Sequence, residues 1–386
     1  MDAKLWNFRF SEIVLINTLL SFSFYMVTTT LVVYLVGIGV SLASSGAIVG
    51  LFSITALFIR PFTGYVADRY DRKKMLMIGS FWVTISVIMY VITDNLMLII
   101  LFRIIHGIAF GINSTAIVAM ASEFIPSERF SEGIGYLGLG QVVASAVGPG
   151  LGIAIMNQYD VVYAFYISAF FSLMALVALL RLKYSCTYKN QRNRKFAVKD
   201  IITFSIMDYV FIGGVYSFIN GGISAFLVLY AHSKSIENVG IYFTVSAIFL
   251  FLARPISGKI MKWKGFNYVF YPSILLTIVS LILLSWADSM TLILISAMLR
   301  ALSQGSVQPL LQAASIKKVG IEKSGVATST FYLGGDIGQG AGPMVGGIIA
   351  KSYGYEEIFY LCIILLIFSL LIYFFNGKRH ALKTGT

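Results

Sequence analysis

The chain reads as an all-α membrane protein of twelve transmembrane helices in two pseudo-symmetric six-helix bundles. Three observations predict this. Of the 386 residues, 58% are hydrophobic and only 12% charged, against about 25% charged in a soluble domain, and no soluble core absorbs that much apolar surface. The apolar residues fall into runs of about 20, the length that crosses about 30 Å of hydrocarbon. The second half also repeats landmarks of the first at nearly one spacing.

The twelve spans fall at 11–36, 43–66, 74–93, 96–119, 132–156, 161–181, 203–231, 238–260, 267–287, 290–314, 325–350 and 355–376. With the amino terminus inside, 23 of the 29 Lys and Arg lie in cytoplasmic segments. Lys234 and Lys351 fall outside, and Arg60, Arg103, Arg254 and Arg300 lie within spans. This asymmetry sets both termini in the cytoplasm. It also accounts for the net charge of +12 without a nucleic-acid partner. The first span is too long for a signal-peptide core and lacks a small-residue cleavage site. Cys186 and Cys362 are expected to form no disulfide, and the three histidines are scattered, so no metal site is expected.

Spans two and three are joined by Gly-Tyr-Val-Ala-Asp-Arg-Tyr-Asp-Arg-Lys-Lys, Gly64 to Lys74. This stretch is too charged for lipid and too short for a domain, so it is a tight turn at the cytoplasmic face. Gly64 allows either a close helix approach or a sharp backbone turn. Asp68 and Arg72, four apart, can pair on one helical turn.

Spans one to six, residues 1–181, form the first expected bundle. The basic stretch 182–200 is a cytoplasmic linker, read either as a solvated connector or as an anionic-lipid contact. Residues 201–386 form the second bundle with a short cytoplasmic tail. The repeat is visible in three places. Arg60, Pro61 and Gly64 recur as Arg254, Pro255 and Gly258, 194 residues later. Gly140, Ala144, Gly148, Pro149 and Gly152 recur at the same offset of 194 as Gly334, Gly338, Gly342, Pro343 and Gly346. Arg103 with Gly107 is echoed by Arg300 with Gly305, Arg300 lying 197 residues after Arg103. A parallel repeat of this kind is a transporter device, with two bundles facing each other. Glycines every four residues make one helix face flat. Each costs about 1 kcal/mol of helix propensity relative to alanine, so the stripes require a packing return, in a static contact or in one that slides.

These residues resemble the major facilitator superfamily, and within it the twelve-helix drug:proton antiporter branch. Gly64, Asp68, Arg72 and Lys73 match the loop signature between helices two and three. Asp71 departs from it, standing where the pattern usually has glycine, which puts the tightness of the turn in question. Arg103 and Gly107 match the helix-four signature, and Gly140, Gly148, Pro149 and Gly152 the helix-five signature of antiporters. The resemblance implies the major facilitator fold and alternating access by two rocking bundles. It makes Asp68 a latch against the cytoplasmic end of helix eleven and pairs Arg72 with an acid at the end of helix four, where Glu123 stands. It also turns Arg103 toward the cavity, to influence proton release.

Charges inside a membrane are functional candidates by default. Asp336 lies near the middle of span eleven within Gly-Gly-Asp-Ile-Gly-Gln-Gly and is the first candidate for proton coupling. It is also readable as a structural acid bonded to serines or to Arg300. Arg103 and Asp208 follow. Arg300 and His106 are each either functional or structural, and Glu12 and Glu132 sit at span boundaries. Polar side chains on apolar walls nominate Asn17, Tyr25, Asn113, Gln141, Tyr216, Asn220, Gln308 and Tyr332 for the substrate cavity. The helix-packing motif comprises Gly140, Gly148, Pro149, Gly152, Gly342, Pro343 and Gly346.

An enzyme would need a nucleophile–base set, a metal cluster or a phosphate loop, and none is present. No Lys-Ser/Thr glycine loop provides for ATP, and no re-entrant filter suggests a channel. The expected function is a proton-coupled secondary transporter that exports small amphipathic or drug-like molecules. A dedicated exporter of one metabolite, such as a siderophore, a sugar or a nucleoside, stands beside it. The expected partners are a lipid bilayer, protons and a small-molecule substrate. The energy source is the proton gradient, with no cofactor. The expected state is a monomer in a plasma membrane, and the composition suits a bacterial one.

Overall fold

The computed structural model describes residues 5–40, 42–184, 201–237 and 239–384. Among them are thirteen α-helices and no strand. They run α1 (Phe8–Gly37), α2 (Leu42–Arg69), α3 (Arg72–Ile92), α4 (Leu96–Phe124), α5 (Phe130–Leu137), α6 (Leu139–Gln158) and α7 (Val161–Arg181). The second series is α8 (Met207–Ser233), α9 (Ile241–Lys264), α10 (Asn267–Ser285), α11 (Met290–Val319), α12 (Ser324–Tyr353) and α13 (Glu356–Thr384). Of the expected linker, residues 185–200, with Cys186, lie outside the described residues.

Thirteen helices make twelve spans because the fifth is broken at Gly138 into α5 and α6. A break frees carbonyls that need a donor. Asn17 of α1 supplies one, its Nδ2 donating to the Leu137 carbonyl at 2.8 Å. Eleven spans among the described residues are long and apolar enough to cross a membrane. The twelfth, α12, has 30 residues, but its glycines, Asp336 and Gln339 dilute its apolar character.

Helix starts follow capping chemistry. Asn7, Asp71, Asn95 and Asp160 each accept hydrogen bonds from the first-turn amides of the helix that follows. Asp71, which replaces the usual glycine, thus starts α3 by accepting from the Lys73 and Lys74 amides at 2.9 and 3.2 Å. Its φ of −65° places no demand on glycine.

Contacts divide the chain into two compact units. The first is Met1–Ile202 together with Gly320–Ser329, so it includes the first turn of α12. The second is Thr203–Val319 together with Thr330–Thr386. In the first, Leu31, Val87, Tyr90 and Phe165 form part of a buried apolar cluster. In the second, Ile219, Phe270, Leu311 and Phe359 belong to a larger one.

The internal repeat is stricter than the sequence suggested. The 3-10 turn Ser127–Arg129 recurs as Ile321–Lys323, again 194 residues later. The sequence pairing of Arg103 with Arg300 is corrected. Gly111 packs on α2 at Ala56 and Ile59, and Gly305 packs on α9 at Leu250 and Ala253. All three pairs of positions differ by 194. Gly305 therefore matches Gly111 rather than Gly107, Arg300 matches His106, and Arg103 matches Ala297.

Candidate functional site

The Gly64–Lys74 stretch brings Asp68 and Arg72 into one buried cluster within the first unit. Asp68 is 6% exposed. Its Oδ1 accepts from the Gly325 amide at 2.7 Å and its Oδ2 from the Val326 amide at 2.9 Å. These are the second and third residues of α12, whose N-terminus carries partial positive charge. A carboxylate there gains about 0.3–1 kcal/mol, and up to about 2 when partly buried. The approach depends on two glycines. A Cβ on Gly64 would lie 2.8 Å from the Gly325 carbonyl oxygen, and one on Gly325 would lie 2.6 Å from that of Gly64.

Arg72, 1% exposed, ties this cluster together. Its Nη2 donates to Asp68 at 3.3 Å and its Nη1 to Glu123 Oε1 at 2.7 Å. It also donates to the carbonyls of Ala67 and Ala119, at 2.9 and 2.6 Å. Tyr184 donates to the same Glu123 oxygen at 3.0 Å. Lys73 turns elsewhere. Its Nζ donates to the carbonyls of Leu180 and Leu182 at 3.3 and 2.8 Å, capping the end of α7.

The glycine stripes each pack on the first helix of their own unit. In α6, Gly140 faces Thr18, Gly148 faces Tyr25 and Gly152 faces Thr30, all on α1. In α12, Gly334 faces Val210, Gly338 faces Gly214, Gly342 faces Phe218 and Gly346 faces Phe226, all on α8. Pro149 and Pro343 lie inside these helices without ending them.

Several nominated residues are enclosed rather than open to a cavity. Arg103 is 1% exposed. Its Nε and Nη2 donate to the Val49 carbonyl at 3.3 and 3.0 Å, and its guanidinium lies 4.7 Å from the Phe52 ring centre. Both partners belong to α2, and Nη1 is buried without a hydrogen-bond partner among the described residues. His106 is buried beside Tyr90, with 3.3 Å between its Nδ1 and the tyrosine hydroxyl. Asn113 is buried between α4 and α3, against Gly79. Tyr216 is buried with its hydroxyl 3.1 Å from Ser303 Oγ. Asn17 serves the α5–α6 break. Asp208 forms an ion pair with Lys318 at 3.2 Å, joining the start of α8 to the end of α11. Glu132 is held by Arg129 through two bonds of 2.8 and 2.7 Å.

The remaining nominees fall in two groups. In the first unit, the Gln141 amide lies 3.5 Å from the Tyr25 hydroxyl. In the second unit, Asn220 and Tyr332 belong to a longer polar track, and helix spacing places Gln308 and Asp336 beside it. Arg300 donates from Nε to the Tyr242 hydroxyl at 3.0 Å, from Nη1 to Gln304 Oε1 at 3.3 Å, and from Nη2 to Asn220 Oδ1 at 2.8 Å. Asn220 Nδ2 donates in turn to Gln339 Oε1 at 3.1 Å. Gln312 donates to the Tyr332 hydroxyl at 3.0 Å. Tyr332, Asp336 and Gln339 stand at positions i, i+4 and i+7 and share one face of α12. Gln304, Gln312 and Gln339 were not anticipated. The four-residue spacing Arg300, Gln304, Gln308, Gln312 is the sequence signal that locates the first two. A cavity of about 490 Å³ lies off this track, among Tyr209, Lys264, Tyr268, Lys317 and Tyr373.

Two units of membrane-spanning helices related by an internal repeat, with polar side chains inside the spans, define a secondary transporter architecture. The chain belongs to the Major Facilitator Superfamily, whose family profile matches residues 13–340 and 211–385. It is a membrane transporter and not an enzyme. It is 24% identical over 357 residues to the multidrug resistance protein MdtG of Citrobacter koseri, covering 86% of this chain and 85% of that one. It is 23% identical over 338 residues to an uncharacterized MFS-type transporter of Methanocaldococcus jannaschii, covering 85% and 87%. Among solved structures, the human organic anion transporter MFSD10 (TETRAN) superposes with a TM-score of 0.81 at 15% identity, over 94% of this chain and 98% of that one. The transporter FucP gives 0.81 at 14%, over 95% and 99%. Both structural likenesses speak to the fold.

Proposed function

We propose that this transporter is a proton-coupled antiporter that exports small amphipathic or drug-like molecules by alternating access. In this reading it works as a monomer in a plasma membrane, with both termini cytoplasmic and the proton gradient as its energy source. One observation carries it. The same helix, α12, holds Asp336 within its membrane-spanning length and presents its first-turn amides to Asp68. Gly325 and Asp336 are eleven residues apart, about 16 Å along the axis. A change of charge at Asp336 and a change of grip at Asp68 therefore act on one helix, and a two-state equilibrium is biased by whichever state each contact favours. Relatives named for multidrug resistance support efflux as the direction.

The test is efflux in inverted vesicles with a panel of amphipathic compounds, with and without an imposed pH gradient. Uptake driven by the gradient and lost in Asp336→Asn is the expected result. Gradient-driven transport at full rate in Asp336→Asn removes Asp336 from coupling, and transport that ignores the gradient ends the antiport reading.

A second reading, a dedicated exporter of one metabolite, is favoured by the amides of α11. Lipophilic cations have little use for a row of hydrogen-bonding side chains.

A further inference from the structure

The second unit contains one feature that the repeat does not require. At the offset of 194, Arg300, Gln304, Gln308 and Gln312 of α11 correspond to His106, Phe110, Ser114 and Val118 of α4. In α4 this face alternates polar and apolar side chains: Ser114 accepts from Arg60 Nη1 at 2.9 Å, and Phe110 stacks on Phe24 and packs against Phe52. In α11 it is a ladder of one guanidinium and three amides. The first half is built with an aromatic and a valine where the second has Gln304 and Gln312, so the repeat itself does not call for amides there. Amides in a membrane-spanning helix face the bundle interior, where they pair with other polar groups, with water or with a polar guest, rather than lipid.

The hydrogen bonds orient the amides. Arg300 has only donors, so the oxygens of Gln304 and Asn220 turn toward it. Asn220 then gives its own NH2 to the Gln339 oxygen. The outcome is that the NH2 groups of Gln304 and Gln339 are the ends of the network and point away from Arg300. Gln308, half-exposed between the Gln304 and Gln312 rungs, offers both a donor and an acceptor. From Gln304 to Gln312 the ladder runs about 12 Å.

We propose, building on the transporter reading above, that this ladder is a binding track for an elongated, oxygen-rich polar molecule, a glycoside or short oligosaccharide. Donors spaced along one line suit a guest whose hydroxyl and ring oxygens are likewise spaced along its length. An amide pairs with a sugar hydroxyl because each gives and accepts. Arg300 is a positioning residue here: its charge sets which way the amides face.

The full-length protein in proteoliposomes tests this with three probes: 4-methylumbelliferyl cellobioside, its aglycone 4-methylumbelliferone, and tetraphenylphosphonium. The expected result is carrier-dependent flux of the glycoside exceeding that of the aglycone about tenfold, the effect of one or two added hydrogen bonds. Gln304→Leu combined with Gln308→Leu should raise the KM for the glycoside about tenfold, and Gln304→Asn combined with Gln308→Asn should recover most of that loss. Folding is checked by a single monodisperse elution peak. A Leu variant that folds and keeps the wild-type KM overturns the proposal, and so does a wild type that moves the aglycone as well as the glycoside. If the Leu variant fails to fold, the glycoside-to-aglycone ratio in the wild type decides alone. Gradient-driven tetraphenylphosphonium flux without glycoside flux sinks this inference and leaves the antiporter standing. Flux of none of the three sinks both.

Discussion

The two glycine stripes have the same spacing and do different work. In α12, a Cβ on Gly342 would lie 2.8 Å from the Gly222 nitrogen and would also strike the Phe218 carbonyl, both backbone atoms of α8. In α6, a Cβ on Gly148 would stand 3.2 Å from the Tyr25 Cβ, with nothing nearer. The second unit uses its glycines to press two backbones together. In the first unit Gly140 is tight against Thr18 while Gly148 and Gly152 pack more loosely, and the same span is broken at Gly138. At the matching position of α12, 194 residues on, stands Tyr332, and the helix runs through. One ancestral pattern has thus become a rigid joint in one unit and a segmented one in the other.

The sharpest way to break this comparison is a pair of alanine substitutions. Gly342→Ala should cost about 3 kcal/mol, because a backbone cannot turn aside as a side chain can, and should lower the melting temperature in detergent or abolish the monodisperse peak. Gly148→Ala should be near neutral in the same assay. Equal effects would erase the distinction between the stripes. Next in size is Asn17→Leu, which leaves the Leu137 carbonyl at the break without its donor and should cost about 1–2 kcal/mol. Thermal melting that does not move would show that the break needs no pin.

Asp68→Asn should loosen the first turn of α12 by about 1 kcal/mol, as lost caps do. The readout is amide hydrogen exchange at Gly325 and Val326, expected to quicken roughly fivefold, with the amides of α3 as the unaffected reference. Unchanged exchange would leave those two amides held by something other than the carboxylate. The smallest effect belongs to Lys318→Ala, which removes the partly exposed pair with Asp208 and should change stability by less than about 1 kcal/mol.

Much of the fold was legible because each span must satisfy one ruler, and because the repeat restates it. The number of spans, their positions and the pairing of Arg72 with Glu123 could be read from spacing and family motif together. The break at Gly138 could not, since a glycine inside a glycine-rich helix carries no distinguishing mark. The site was read less well, for a physical reason. A polar residue in an apolar helix is legible as exceptional, but its direction depends on helix rotation. Asn113 and Tyr216 rotate into the packing of their own units, whereas Asn220 and Tyr332 do not. Arg103 showed the same difficulty: the sequence reveals the charge but not that the Val49 carbonyl and the Phe52 ring enclose it. Periodicity applied to α11 alone would have supplied Gln304 and Gln312.

The unvarying 194-residue spacing has a consequence for how such a chain can change. From Ala56 to Gly152, and from Leu250 to Gly346, the two halves have neither gained nor lost a net residue. Surface turns ordinarily drift in length, because an added residue costs little entropy. Here a single insertion left uncorrected within a helix would swing everything beyond it by about 100°, carrying a stripe off its partner. The short connections are therefore measured lengths. Anyone grafting loops or tags into this protein should expect the turns joining α2 to α3 and α9 to α10 to tolerate substitution far better than extension.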